Sequence, residues 1–372
     1  MIISIILFVI ALILPDYYIW SVFIGQDASW WWSALYFVPT LMVAFSFIAV
    51  NRGFYHNTFM RIFFALSLLV VLPKLIFAVL SFAIGYLAAL IVALALVLTL
   101  LYGFFFGWRR IKVKNATCAS PLLPKEFEGY RILQMSDLHI GTFRENPSFI
   151  SKLVKIVNDQ HPDLIVFTGD LVNVRAEELH PFLSELSKLS AVDGVYSVMG
   201  NHDYCEYGKD HSERNILRNQ HILQYWEEKM GWKMLMNEHV MLRRGDAEIA
   251  LIGVENIGKP PFKSQGDLHK AMLGLQDGMF KVLLSHDPTH WRRGVLHQTD
   301  IALTLSGHTH AGQMKIGKFS PAKWAYNEWG GKYTEGEAML YVSLGLGGTM
   351  PFRFGAWPEV NVIRLKKIKN EE

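Results

Sequence analysis

Cysteine is scarce in this chain of 372 residues: only Cys118 and Cys205 occur, at no metal-ligand or redox spacing. That excludes a disulfide framework and a thiolate zinc knot, and both read as free thiols. Charge is nearly missing from residues 1 to 106, which carry only Asp16, Asp27, Arg52, Arg61 and Lys74. A soluble surface cannot be built from such a stretch. Net charge is also small, +3 in all, and no basic stripe runs through the rest, so polymeric nucleic acid is not an expected partner. Internal repeats are absent, as is low complexity beyond the apolar runs.

What is present divides in two. Hydrophobic residues make up 51% of the chain, concentrated at the front in runs near the roughly 20 residues that cross a bilayer. Four spanning helices are expected, near Ile2–Ile24, Trp30–Val50, Ile62–Leu80 and Ala83–Phe106. Pro15-Asp16 is expected to kink or end the first, with Trp30, Trp31 and Trp32 in an interface belt. The N-terminal run lacks a basic leader and a small-residue cleavage site, so it reads as a span and not a removed signal. Arg52, Arg61, Arg109, Arg110, Lys112 and Lys114 fall on one side of the four-span layout and Asp27 on the other. Positive residues mark the cytoplasmic side, which predicts a multi-pass inner-membrane protein with its catalytic part in the cytoplasm. Lys74, inside the third run, is expected to snorkel to the interface beside Pro73. No charge pair is expected among the four helices.

The organisation predicted is a membrane domain at 1–108, a basic juxtamembrane linker at 109–129 bearing Pro121 and Pro124, and a soluble domain at 130–372. In the soluble part short apolar runs alternate with helical stretches, the pattern of a layered α/β fold. Strands are predicted at Arg131–Met135, Leu164–Thr168, Val195–Met199, Glu248–Val254, Lys281–Leu284, Ile301–Leu305, Ala338–Ser343 and Val360–Leu365. Helices are predicted at Pro147–Asp159, Glu177–Leu189 and Asn215–Met230.

Five of these strands run into a polar motif: Asp137-Leu138-His139, Gly169-Asp170, Gly200-Asn201-His202-Asp203, Ser285-His286 and Gly307-His308-Thr309-His310. Ligand sites of layered α/β folds gather outside the carboxyl ends of strands, so these motifs are expected to share one rim. Two residues apart on extended backbone, Asp137 and His139 would point the same way, as would His308 and His310. Gly169 allows a sharp turn before Asp170, and Asn201 offers a neutral amide oxygen. Each motif alone is weak, since Gly-Asp and Asn usually mark turns and single histidines are usually satisfied polar residues. In this order at strand ends they point to a metal centre. His211, His221, His290 and His297 read as ordinary polar residues. Segment Tyr204–Trp232 reads equally as a cap over the site or as a core helix.

The motif order D-x-H, G-D-x-x-N, G-N-H-D, H and G-H-x-H over residues 130–365 resembles the calcineurin-like metallophosphoesterase superfamily. His308–Gln313, Tyr341–Gly347 and Phe352-Arg353-Phe354-Gly355 are similar to its membrane-associated bacterial branch, the phosphohydrolases like YkuE and YaeI. Ala311 stands where that branch usually has Gly. The resemblance implies two mixed β-sheets flanked by helices, preceded here by four transmembrane helices. It also implies two divalent ions (Mn, Fe, Zn or Co), one held by Asp137, His139 and His310, the other by Asn201, His286 and His308, with Asp170 bridging. A hydroxide between them would attack phosphorus in line, with His202 as acid toward the leaving oxygen and Asp203 holding the loop. Asn173 replaces an Asp that polarises this histidine in many relatives, leaving a weaker orienting partner. Arg353 reads equally as a phosphate clamp and as a structural salt-bridge residue.

A catalytic domain tied to the bilayer implies a phosphate in a lipid headgroup or a nucleotide-linked lipid such as a UDP-diacylglucosamine, with its tails near Phe352, Phe354 and Trp357. The alternatives are a phosphodiesterase or nuclease acting on soluble nucleotides and a non-catalytic membrane sensor that keeps its metal site.

Overall fold

A computed structural model of the chain describes all residues except 1, 26–28, 52–56, 144–145, 209, 211, 261, 263 and 369–372. Asp27, Arg52 and His211 therefore lie outside the described residues. The chain divides into two compact units, Met1–Phe106 and Gly107–Glu372.

Among the described residues of the first unit, four helices are long and apolar enough to cross a membrane, beginning at Ile6, Trp30, Phe59 and Tyr86. Gly85, at φ +80°, separates the third from the fourth, a conformation a side chain would disfavour. Pro15 does not end the first helix, which runs on through Ile19 into a π-helical turn at Trp20–Ile24. The expectation for Lys74 is overturned. Its Nζ lies 2.5 Å from Asp16 Oδ1, Thr40 donates to the same carboxylate, the Tyr36 hydroxyl lies 3.3 Å from Asp16 Oδ1, and the ammonium sits 4.5 Å over the Tyr36 ring. A carboxylate within reach inside the bundle is a better partner than a distant interface, because an unpaired charge in hydrocarbon is costly. The four helices thus contain a charge pair.

The second unit is a two-sheet sandwich. Its strands are β1 (Lys112–Ser120), β2 (Arg131–Met135), β3 (Leu164–Thr168), β4 (Val195–Val198), β5 (Trp232–Met234), β6 (Glu238–Arg244), β7 (Ala247–Gly253), β8 (Lys281–Leu284), β9 (Leu303–Ser306), β10 (Gly331–Glu335), β11 (Ala338–Val342) and β12 (Glu359–Lys367). One sheet has the order β1-β12-β2-β3-β4-β5, the other β10-β11-β9-β8-β7-β6. Both are mixed: β12 is antiparallel to β2 while β2, β3, β4 and β5 are parallel, and β7, β8, β9 and β11 are parallel inside antiparallel edges.

The central strands are apolar on both faces, as parallel strands covered on both sides must be. Leu164 and Val166 face the other sheet with Ile132, Leu251, Val282, Leu303 and Ile363. Their neighbours Ile165 and Phe167 pack outward under Leu153, Val157 and Leu223 of the helices Pro147–Asn158 and Glu213–Lys229. The far face of the second sheet packs Ile252, Leu283 and Leu340 against Trp291 and Val295. Helix Glu213–Lys229 is therefore a core helix. The helix expected at Glu177–Leu189 is broken into 3₁₀ turns and the short helix Leu183–Leu186. The expected linker is also corrected, because its residues 112–120 are β1, paired in parallel along all of β12. Its sequence is polar, and only Cys118 and Ser120 are buried, so it carries no strand-like apolar alternation.

Candidate metal centre

Five inner strands from the two sheets end at one place. β2 is followed by Asp137 and His139, β3 by Asp170, β4 by Asn201 and His202, β8 by His286 and β9 by His308 and His310. The turns that carry these residues are not extended: Asp137, His139, Asp170, His308 and His310 all have positive φ, between 47° and 73°. Asp137 with His139 and His308 with His310 therefore do not alternate on extended backbone but sit in left-handed turns, which cost non-glycine residues energy and cluster at functional sites. Close approach of the loops requires glycine. A Cβ on Gly169 would lie 2.6 Å from the backbone nitrogen of Gly200 and 2.7 Å from His286 Nδ1.

Two groups of side chains converge there, Asp137, His139, Asp170 and His310 in one and Asp170, His286 and His308 in the other, with Asp170 common to both. In the first group His139 Nε2 lies 3.2 Å from His310 Nε2 and 3.6 Å from Asp170 Oδ2, while His310 Nε2 lies 3.4 Å from Asp137 Oδ1. In the second, His286 Nε2 lies 3.3 Å from Asp170 Oδ2 and 3.2 Å from His308 Nδ1. Asn201 is buried in the loop after β4, where its Nδ2 donates to the Tyr207 hydroxyl at 2.8 Å. Its Oδ1 is buried without a hydrogen-bond partner among the described residues.

These atoms fit cations. Ring nitrogens facing one another at 3.2 Å beside carboxylate oxygens, and an orphaned amide oxygen, are donors converging without enough protons to share. The outer nitrogens of His286 and His308 are held as a metal ligand's should be. His286 Nδ1 lies 2.7 Å from the Thr168 carbonyl oxygen, and His308 Nε2 lies 2.8 Å from the Tyr326 hydroxyl. Burial holds His139 down at about 3 and His308 at about 4, and pushes His310 well below its ordinary value. Burial would lower His286 too, yet the Asp170 and Asp137 carboxylates raise it to about 10. The centre thus holds neutral imidazoles at His139, His308 and His310, and at His286 a proton that the buried carboxylates retain and that a bound cation would displace, a donor set suited to a divalent metal ion.

Asp203 fastens two of the loops. Its Oδ2 accepts from the backbone N–H of Asp170 (2.8 Å) and Gly200 (2.9 Å), its Oδ1 from Leu171 (2.9 Å) and Val172 (3.1 Å). His202 stands beside both groups, its ring 4.6 Å from that of His139 and 4.3 Å from Tyr207, and its Nδ1 lies 2.7 Å from the backbone carbonyl oxygen of Asn173. The Asn173 side chain instead donates to Thr142 Oγ1. Of the two roles open to Arg353, its bonds fit the structural one. It is 1% exposed, its Nη1 donates to the carbonyls of Leu344 (2.5 Å) and Ala356 (3.1 Å), its Nη2 donates to that of Gly347 and lies 3.3 Å from His310 Nδ1. A guanidinium so committed braces the loop behind His310. Phe352, expected near lipid tails, is likewise buried.

Sequence reading missed the aromatic rim. Tyr207 covers His202, and Phe262 and Tyr326 meet the His308 ring at centroid distances of 4.8 and 5.5 Å. Single aromatics in loops carry no local signal of such contacts. His290 and His297 have ordinary partners, Ser285 Oγ at 2.9 Å and Glu335 at 2.9 Å, and Cys118 and Cys205 are free and buried.

The arrangement has known relatives. A calcineurin-like phosphoesterase profile matches residues 130–312. The chain is 32% identical over 278 residues to the metallophosphoesterase YkuE of Bacillus subtilis, covering 71% of this chain and 89% of that one. It is 30% identical over 233 residues to a zebrafish (Danio rerio) transmembrane protein with a metallophosphoesterase domain, covering 59% of this chain and 50% of that one. It is 26% identical over 296 residues to the UDP-2,3-diacylglucosamine pyrophosphatase LpxG of Chlamydia muridarum, covering 65% and 86%. With a sandwich of two mixed sheets, a buried His/Asp metal site at its strand ends and four apolar helices before it, the chain is a membrane protein that belongs to the calcineurin-like phosphoesterase family, a family of phosphoester hydrolases.

Proposed function

We propose that this protein is a membrane-tethered phosphoesterase with a dinuclear metal centre that hydrolyses a phosphodiester or pyrophosphate bond in a lipid-linked substrate, a phospholipid headgroup or a nucleotide-linked lipid similar to UDP-diacylglucosamine. The observation that carries the reading is Asp170, whose carboxylate belongs to both converging ligand groups. Asp137, His139 and His310 would hold one ion and Asn201, His286 and His308 the other. Bound there, a pair of divalent ions supplies Lewis-acid charge for the phosphate and a nucleophilic oxygen at neutral pH.

The chain's own residues do the rest. Asp203 sets the loops that aim Asp170 and Asn201, and the Thr168 carbonyl fixes the tautomer of His286 so that Nε2 faces the centre. The Asn173 carbonyl orients the His202 ring through Nδ1, which leaves Nε2 as the nitrogen that would serve the leaving oxygen. Tyr207, Phe262 and Tyr326 wall the site against bulk water. The basic residues between the last helix and β1 favour a cytoplasmic position for this unit. Kinship with LpxG and the four apolar helices support a lipid-borne phosphate as the substrate class.

The test is hydrolysis by the full chain in detergent with Mn²⁺, comparing bis-p-nitrophenyl phosphate with p-nitrophenyl phosphate, and Asp170→Asn as control. Diester turnover abolished in the variant is expected. Preference for the monoester would overturn the diesterase reading, and turnover that survives Asp170→Asn would overturn the metal assignment.

A further inference from the structure

The catalytic unit exposes a compact apolar patch beside its metal centre. Among the described residues of this unit the exposed large hydrophobics are scattered, except that Ile316 (62% exposed), Phe319 (45%) and Trp324 (81%) fall in one loop. The loop is built, not loose. Ile316 and Phe319 exchange backbone hydrogen bonds of 2.9 and 3.0 Å around a tight turn at Gly317 (φ +58°) and Lys318. Ser320 caps the 3₁₀ turn Pro321–Trp324, and the Phe319 and Trp324 rings meet edge to face at 5.5 Å. A hydrogen-bonded loop that holds three large apolar side chains out in water marks an interaction surface.

Its charge says with what. Lys315, Lys318 and Lys323 alternate with the apolar residues, and residues 314–327 contain no Asp or Glu. The first acid beyond, Glu328, is buried and paired to Arg292 at 2.6 Å. Lys318 and Lys323 are exposed. An exposed tryptophan with aliphatic and aromatic neighbours, in a stretch whose only charged residues are lysines, matches the interface of an anionic bilayer, where the ring sits at headgroup depth and the ammonium groups meet phosphates. Weak insertion suffices, because the apolar helices already confine this unit close to a bilayer.

Both ends of the loop are tied to the centre. Ser320 Oγ donates to the carbonyl of Ala311, next to His310, at 2.5 Å, and Tyr326, just past Trp324, bonds His308. We propose that residues 315–324 are a docking surface for an anionic lipid bilayer, inserting Ile316, Phe319 and Trp324 and presenting a lipid phosphate to the metal centre. The presentation step rests on the lipid-phosphoesterase reading above; the docking step does not.

The experiment places an environment-sensitive fluorophore on the full chain at Trp324→Cys, or at exposed Leu273→Cys as a reference outside the loop; the native Cys118 and Cys205 are buried. The protein is reconstituted into vesicles of phosphatidylcholine with phosphatidylglycerol, or of phosphatidylcholine alone. The expected result is a blue-shifted probe at 324, quenched by headgroup-level nitroxide lipids and shielded from aqueous iodide, with the reference behaving oppositely. Lys318→Glu with Lys323→Glu, or omission of phosphatidylglycerol, should weaken the lipid quenching. A probe at 324 as open to iodide as the reference would overturn the proposal. So would shielding from both quenchers, which would indicate a protein partner, or equal quenching without anionic lipid. No hydrolysis enters the readout, so its failure and the failure of the Asp170→Asn assay are separate results.

Discussion

The Nδ1 of His202 lies 2.7 Å from the backbone carbonyl oxygen of Asn173. A carbonyl is an acceptor whatever side chain its residue carries, so the Asp-to-Asn replacement expected to weaken this histidine leaves its partner in place. Asn173→Ala should therefore lower turnover by less than about tenfold, whereas His202→Gln should lower it by about 10²–10⁴, the range for a positioned general acid. Steady-state kinetics on a diester, with metal content measured in each variant, checks both. A collapse of activity in Asn173→Ala with metal retained would mean that the side chain matters after all.

Asp203 binds four backbone N–H groups with two oxygens. In Asp203→Asn one of those oxygens becomes an NH₂ facing two donors. Losing charge-assisted bonds and burying clashing donors should cost about 3 kcal/mol. The loops after β3 and β4 both move, so metal content should fall together with melting temperature. Unchanged thermal stability would contradict the fastening role.

The inner strands were legible in the sequence and the edges were not. All eight inner strands, β2, β3, β4, β7, β8, β9, β11 and β12, coincide with predicted apolar runs, because strands packed on both faces need continuous apolar sequence. The four unpredicted strands, β1, β5, β6 and β10, are the four sheet edges, where polar side chains face water and discourage further pairing. The seven candidate ligands were legible because their order at strand ends is a local property. The left-handed backbone of five of them, the Tyr207, Phe262 and Tyr326 rim and the committed guanidinium of Arg353 were not, since each depends on which loops the tertiary fold brings together.

Metal should stabilise as well as activate. Asp137, His139, Asp170 and His286 are buried together, and a ligand that binds only the folded state adds about 2.7 kcal/mol at a hundred times its dissociation constant. Chelation should lower the melting temperature and Mn²⁺ should restore it, with no such response in Asp170→Asn. Differential scanning fluorimetry with and without chelator is the measurement, and an identical response in the variant would separate the stabilising ion from this site.

In the membrane unit, Asp16 and Lys74 should behave as a pair. Removing one charge by Lys74→Met leaves the other buried and should cost about 3–5 kcal/mol, while Asp16→Asn with Lys74→Met should recover most of it. Detergent melting of the single and double variants gives the coupling directly. Additive losses would show that the two side chains act independently despite their 2.5 Å contact.

Alongside Asp203, whose pKa burial raises to about 7, Glu227 contributes to the pH dependence of the catalytic unit. It is buried on helix Glu213–Lys229 against Ser197, and burial raises its pKa from the ordinary 4.5 to about 8. The folded state therefore keeps a proton that the unfolded chain releases above 4.5. Stability from this group is complete below the unfolded value and falls as pH rises toward 8, because over that window the folded state binds more protons. At pH 8 the loss is on the order of a few kcal/mol. Glu227→Gln cannot lose a proton, so it should match the native chain near pH 5, exceed its stability near pH 8 and flatten the slope between. Denaturant melts across that range decide it: parallel pH profiles for the two proteins would mean that Glu227 ionises in the folded state as readily as in the unfolded one.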